Sequence, residues 1–89
     1  MISCQTFDYV EIACMYQLPI NLIGKDSSEI RGKALTTLIN DRRQECIELS
    51  QTNGLKACVV LDDIQMMLAE KTNPHFAWVN LVTNQMGKY

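Results

Sequence analysis

The sequence predicts an α+β protein that is mainly β, with one N-terminal helix packed on a small, strongly bent antiparallel β-barrel. Three observations lead to this class. Apolar residues recur with a helical period only in residues 6–16. After Pro19 the pattern changes to short apolar or alternating runs, and turn-forming residues separate these runs. The 89 residues leave room for one hydrophobic core, so we expect a single domain over residues 1–82.

The predicted helix has local signals at both ends. Thr6 is a candidate N-cap, because a threonine hydroxyl can accept a hydrogen bond from the first free amides. Pro19 ends the helical region, since the residue before a proline avoids the α conformation.

Two carboxylates share one face of this helix. At 100° per residue, Asp8, Glu11 and Met15 fall in the wedge that the wide apolar arc leaves open. No Lys or Arg precedes Lys25. The wedge is either an ordinary solvated helix face or an acidic surface that meets a basic partner.

Six strands follow the helix in this prediction. They span residues 19–25, 29–39, 45–49, 55–61, 64–68 and 77–82. Asn53-Gly54 predicts a type I′ hairpin turn. Trp78 is expected in the core, the default for a single Trp in a strand. Residues 83–89 are expected to be a frayed C-terminal tail.

The bulk composition favours a cytoplasmic protein that does not bind nucleic acid nonspecifically. The net charge is −2 and the pI is about 5.2, whereas nonspecific nucleic-acid binding needs a basic stripe. No apolar run approaches the length of a membrane span, and no basic segment precedes an apolar one at the N-terminus. We expect reduced thiols and no metal site, because the four cysteines fit no CxxC pattern.

Catalysis is the class with the least support. His75 is the single histidine, and its neighbours supply no nucleophile or second base. Asp62-Asp63 lies between two strands, where adjacent carboxylates are typical of a turn. No glycine-rich phosphate loop is present. We predict a non-enzymatic protein without a cofactor.

Arg42-Arg43 is the one basic doublet, in a polar loop. Its side chains either are solvated at a loop tip or contact phosphate or an acidic partner. Asp41 in the same loop weakens the phosphate interpretation.

The chain resembles the Rho-binding antiterminator (Rof) family. The resemblance lies in "ISCQTFDYVEIAC", then "LIGKDSSEIRGKA", then "CVVLDDI", and covers about residues 2–68. It implies an Sm-like or SH3-like fold, in which an N-terminal helix lies on a bent antiparallel barrel. The helix motif is the specific part of the match, and Gln5 and Thr6 depart from it where carboxylates are expected.

The resemblance also implies a function and a contact surface. Such proteins are small acidic inhibitors of the bacterial termination factor Rho, a hexamer, and cover its primary RNA-binding region. The residues that we expect at this contact are Asp8, Glu11, Phe7 and Val10, with Arg42 and Arg43 at the rim. The alternative is an Sm-like RNA-binding module, which should show a basic surface.

Overall fold

A computed structural model describes residues 2–89 of the chain. One helix precedes seven strands in this structure. They are α1 (Cys4–Met15), β1 (Pro19–Gly24), β2 (Glu29–Ile39), β3 (Glu45–Ser50), β4 (Lys56–Val60), β5 (Ile64–Ala69), β6 (Trp78–Asn80) and β7 (Gln85–Gly87). A 3₁₀ helix, Leu61–Asp63, joins β4 to β5. None of the helices in residues 2–89 has the length and apolar character needed to cross a membrane.

All strands belong to one antiparallel sheet, in the order β4-β3-β2-β1-β5-β6-β7. The predicted class, one N-terminal helix and a mainly β antiparallel domain, is confirmed. The closed barrel is not, because β4 and β7 end the sheet and do not pair with each other in residues 2–89. Register shifts between Ile23 and Gly24 and between Ala34 and Thr36 interrupt the ladder, and such bulges bend strands.

The hydrophobic core lies between the helix and one face of the bent sheet. Val10 and Ala13 project into it from α1, and Phe76 enters from the loop before β6. The strands, the 3₁₀ helix and the turn after β6 supply the remaining buried members of this cluster, Ile20, Leu22, Ala34, Ile47, Leu49, Leu61, Ile64, Met67, Val79 and Leu81. The ring of Tyr9 meets Phe76 edge to face at 6.2 Å, which anchors the helix over the core.

Helix α1 begins earlier than the sequence predicted. Ser3 is the N-cap, and its hydroxyl oxygen accepts a 3.1 Å hydrogen bond from the amide of Thr6. Thr6 therefore lies in the first turn, where it is buried and its hydroxyl accepts a hydrogen bond from the Ser3 hydroxyl at 3.0 Å. Both residues have the chemistry of an N-cap. Ser3 is the cap in the structure, and Thr6 is buried within the first turn.

The three long hairpins share one turn geometry, and it differs from the predicted type I′. In each, the fourth turn residue donates to the first and has positive φ: Ser27 (70°), Arg43 (61°) and Gly54 (84°). A type I′ turn would need positive φ at Asn53 as well, and Asn53 does not have it. These are type I turns followed by a bulge residue.

The predicted tail contains a strand. Residues Gln85–Gly87 form β7, which pairs with β6. Trp78, expected in the core, is instead 37% exposed and lies on the outer face, because its neighbour Val79 points into the core. Its indole packs closely over Gly87.

Candidate partner-binding site

A groove of about 580 Å³ runs beside the N-terminal half of helix α1. Three elements form its walls: the helix, the β2–β3 turn with the start of β3, and the 3₁₀ helix. The residues that line this acidic groove are Ile2, Ser3, Cys4, Phe7, Asp8, Arg43, Gln44, Glu45, Leu61 and Asp62.

The groove has an excess of negative charge. Three carboxylates, Asp8, Glu45 and Asp62, face one guanidinium, that of Arg43, so the formal charge of the lining is −3 + 1 = −2. All four residues are exposed to solvent. No residue between 2 and 89 forms a salt bridge with any of the three carboxylates.

Phe7 extends the site toward an apolar surface. Its side chain lines the acidic groove and also a smaller depression of about 230 Å³ formed with Thr37, Leu38, Ile39 and Glu45. Ile39 is 67% exposed there. Charged and apolar contacts are thus available side by side, as where the apolar centre of a protein interface meets its polar rim.

Glu11 lies one turn after Asp8 on the same exposed edge of the helix, outside the lining of the groove. Its charge acts on the adjacent Cys14. Burial raises the pKa of the Cys14 thiol to about 11, and the Glu11 carboxylate adds to this rise. Because Asp8 lines the acidic groove and Glu11 lies one turn later on the same edge, the two helix carboxylates form a surface that is continuous with the groove.

Asn40 holds the β2–β3 turn that presents Arg43. Its Oδ1 accepts hydrogen bonds of 2.9 Å from the amides of Arg42 and Gln44. Its backbone carbonyl accepts from the amide of Arg43, also at 2.9 Å. Arg43 adopts φ 61°, a left-handed conformation that costs a non-glycine residue energy.

The structure brings some of the predicted contact residues together and separates others. Phe7, Asp8 and Arg43 share the groove. Arg42 is exposed on the same turn but does not line it. Val10 is only 1% exposed and belongs to the core, so it is not available to a partner in this structure.

Sequence reasoning missed two of the groove carboxylates. From sequence alone, Asp62 is typical of a turn and Glu45 is the first residue of a predicted strand. Glu45 pairs with Ile39 in the hairpin ladder, which places it beside Phe7. No local signal marks such residues, since their proximity to the helix depends on how the sheet bends.

The isolated histidine has a packing role. His75 is half-buried and stacks on Tyr16 with ring centroids 4.8 Å apart. No cluster of three or more His, Cys, Asp or Glu side chains in residues 2–89 is arranged to hold a metal ion. Cys46 is buried, Cys14 half-buried, and Cys4 and Cys58 exposed.

Comparison with known proteins identifies a matching family model and a similar solved structure. Residues 1–81 match the family model described as modulator of Rho-dependent transcription termination (ROF). The chain is also similar to a solved structure described as YaeO bound to magnesium from Vibrio cholerae O395. The two are 33% identical, with a TM-score of 0.77, over 82% of this chain and 94% of that one. No curated protein matches the chain.

Proposed function

Because the chain belongs to the Rof family of modulators of Rho-dependent transcription termination, we propose that it binds the primary RNA-binding region of Rho and blocks RNA loading. The observation that carries this proposal is the acidic groove, whose lining has a net charge of −2 and continues onto Glu11. A surface that binds RNA must offer cations and hydrogen-bond donors to phosphates. Carboxylates held on a rigid helix can occupy the same groups.

The apolar part of the site supports a protein partner. Phe7 and the exposed Ile39 lie beside the carboxylates. Aromatic and aliphatic anchors supply much of the binding energy at protein interfaces, whereas charges mainly set the rate and the choice of partner. Arg43 at the edge of the groove would pair with an acidic group on Rho.

An RNA-binding module is the alternative that the sequence left open. The acidic groove disfavours it, because carboxylates repel phosphate. The chain has 8 basic against 10 acidic residues, and the groove contains only one of the basic ones.

A competition titration tests the proposal. Purified Rho is saturated with labelled RNA, and the protein is added at two salt concentrations. We expect the wild type to displace RNA from Rho and to leave RNA unbound when Rho is absent. Its direct binding to Rho, measured without RNA, should weaken at the higher salt concentration. Binding of RNA by the protein alone, or no displacement at all, would refute the proposal.

Two neighbouring aspartates give a matched pair of variants. Asp62 lines the acidic groove. Asp63 is exposed on the same 3₁₀ helix but does not line the groove. If Asp62 meets a desolvated cation on Rho, Asp62→Asn should weaken displacement by about 2 kcal/mol, roughly 30-fold. Asp63→Asn should cost less than about 1 kcal/mol.

The helix pair is tested in the same assay. Asp8→Asn should weaken displacement as much as Asp62→Asn, and Asp8→Asn with Glu11→Gln more strongly. Both residues are exposed, so the variants should melt like the wild type. A double variant that displaces RNA normally would place the contact elsewhere.

A further inference from the structure

Strand β4 is a free edge of the sheet. The amide of Gln51 donates to the carbonyl of Leu55, and the register continues to Leu49 opposite Ala57 and Ile47 opposite Val59. In an antiparallel ladder these alternate residues exchange the bonds between the two strands. The backbone groups of the residues between them therefore point away from β3; they are those of Lys56, Cys58 and Val60.

This edge has one of the usual devices against pairing, the exposed Lys56, and lacks others. The ladder between β3 and β4 has no bulge, and β4 contains no proline. The carbonyl of Val60 accepts the first hydrogen bond of the 3₁₀ helix that follows. In residues 2–89 no turn or loop hydrogen bond of the backbone involves the other outward-pointing groups of β4. The opposite edge, β7, has only three residues, and short edge strands pair poorly.

We propose that β4 pairs with β4 of a second copy of this chain, antiparallel, about a two-fold axis at Cys58. About a two-fold axis, a residue i that meets residue j of the second copy is matched by j meeting i, so only the residue on the axis meets its own copy. Cys58 then lies opposite Cys58 of the second copy, and Lys56 lies opposite Val60. The two edges would exchange about four backbone hydrogen bonds and join the two sheets into one.

The charges at the two ends of β4 favour this occupant and this direction. Lys56 begins the strand, and Asp62 and Asp63 follow directly after its end. All three side chains are exposed. Antiparallel self-pairing brings the basic end of each copy toward the acidic end of the other, whereas parallel pairing would bring like charges together.

The middle of the strand suits close contact. Its outward-facing side chains between the charged ends are Cys58 and Val60, both uncharged, and the lysine stem of the second copy can cover Val60. An edge of five residues buries much less area than a stable dimer requires. The dimer should therefore be weak and should form as concentration rises.

Sedimentation equilibrium over roughly 10 µM to 1 mM tests the pairing. We expect the mass to rise from monomer toward dimer in this range for the wild type. Lys56→Glu should weaken the association at least 10-fold, whereas Lys56→Arg should leave it unchanged. Adding Asp62→Lys and Asp63→Lys to Lys56→Glu should restore it, since the attraction is then reversed in sign at both ends.

Cross-linking tests the register independently. Cys4 and Cys58 are the two exposed thiols, so Cys4→Ser leaves Cys58 as the exposed one and Cys58→Ser leaves Cys4. The Cys46 thiol interacts with that of Cys58 in the same chain, so both variants also carry Cys46→Ser to prevent an internal disulfide. Diamide, which accepts the two hydrogens released when a disulfide forms, should link the Cys4→Ser protein into dimers and leave Cys58→Ser largely monomeric. Thermal melts confirm that each variant is folded.

Either assay can overturn the inference. A wild type that stays monomeric up to 1 mM excludes the dimer, and a dimer that Lys56→Glu leaves intact is not formed by β4. Cross-linking that proceeds equally well in Cys58→Ser refutes the register. Lys56 and Cys58 lie outside the acidic groove, so these outcomes do not depend on whether the protein binds Rho.

Discussion

The backbone amide of Ser3 donates a 2.9 Å hydrogen bond to Oδ1 of Asn84, 81 residues away in the chain. Ser3 is the N-cap of helix α1 and also lines the acidic groove. Asn84 lies in the turn between β6 and β7. The C-terminal hairpin therefore positions one wall of the groove.

Removing this bond should loosen the start of the helix. In Asn84→Gly the Ser3 amide loses its protein acceptor. Glycine relieves little strain at the positive φ of 60° here, because asparagine, unlike arginine, readily adopts this conformation. We expect the free energy of unfolding to fall by about 0.5–1 kcal/mol, because the bond is solvent-exposed. Asn84→Asp keeps an acceptor oxygen and should remain close to the wild type. Urea denaturation followed by circular dichroism measures both, and equal stability of the two variants would mean that the bond does not support the helix.

The packing of Trp78 on Gly87 provides a fluorescence test. A Cβ at Gly87 would lie 2.3 Å from Nε1 of Trp78, so in Gly87→Ala the indole must move. Trp78 is the only tryptophan, and we expect its emission to shift to longer wavelength as it becomes more exposed. Overpacking of this kind should cost about 1 kcal/mol.

Gly54→Ala is the control for this variant. Nothing lies within 4 Å of a Cβ at Gly54, but its φ is +84°. Alanine there should also cost about 1 kcal/mol through backbone strain, with no change in emission. If Gly87→Ala melts earlier but keeps the wild-type spectrum, the indole does not rest on that glycine.

Local patterns were enough to predict the order of most elements. The switch from helical to strand-like periodicity after Pro19 is real, and the strands from β1 to β6 lie within about two residues of their predicted ends. Strand β7 was missed because three residues cannot display a period. It forms through pairing of Val79 with Met86, which is a tertiary contact.

The site was only partly predictable for a related reason. A helical wheel separates Asp8 from the apolar arc, but Phe7 and Val10 both lie in that arc. Phe7 lines the groove and Val10 is in the core, because the sheet covers only part of the apolar arc. Asp62 reaches the groove through the path of the 3₁₀ helix, which neighbouring sequence does not reveal.

The left-handed conformation of Arg43 leads to a further prediction about the free energy of unfolding. Arg43→Gly should raise the free energy of unfolding by about 1 kcal/mol, because glycine relieves the strain at φ 61°. Arg42→Gly, one residue earlier in the same turn, has no positive φ to relieve and should be neutral or destabilising.

Binding of Arg43→Gly to Rho should weaken, although the free energy of unfolding of this variant rises. If Arg43 contacts Rho, Arg43→Gly should be more stable than the wild type yet displace RNA less well. That combination would indicate backbone strain retained at a binding residue. A stabilised variant with undiminished displacement would show instead that the arginine is only a turn residue.

The raised pKa of Cys14 predicts a difference in thiol reactivity. Burial first, and the Glu11 carboxylate second, hold the pKa of this thiol at about 11, and the thiolate is the reactive form. Iodoacetamide at pH 8.5 should therefore modify the exposed Cys4 and Cys58 before Cys14, as followed by mass spectrometry of peptides. Glu11→Gln removes a negative charge, lowers the pKa of Cys14 and should speed its modification, whereas Asp8→Asn should have a smaller effect.

The same pKa shift predicts how stability depends on pH. The Cys14 thiol has a pKa of about 11 in the folded protein against an ordinary value of 9.0, so folding favours its neutral form. Its contribution is fully present below pH 9 and is lost as the pH rises toward 11, where the unfolded chain has released the proton. The difference in free energy of unfolding between the wild type and Cys14→Ala should shrink between pH 8 and pH 10.5, because alanine does not titrate. A difference that is the same at both pH values would show that the thiol titrates alike in the folded and unfolded chains.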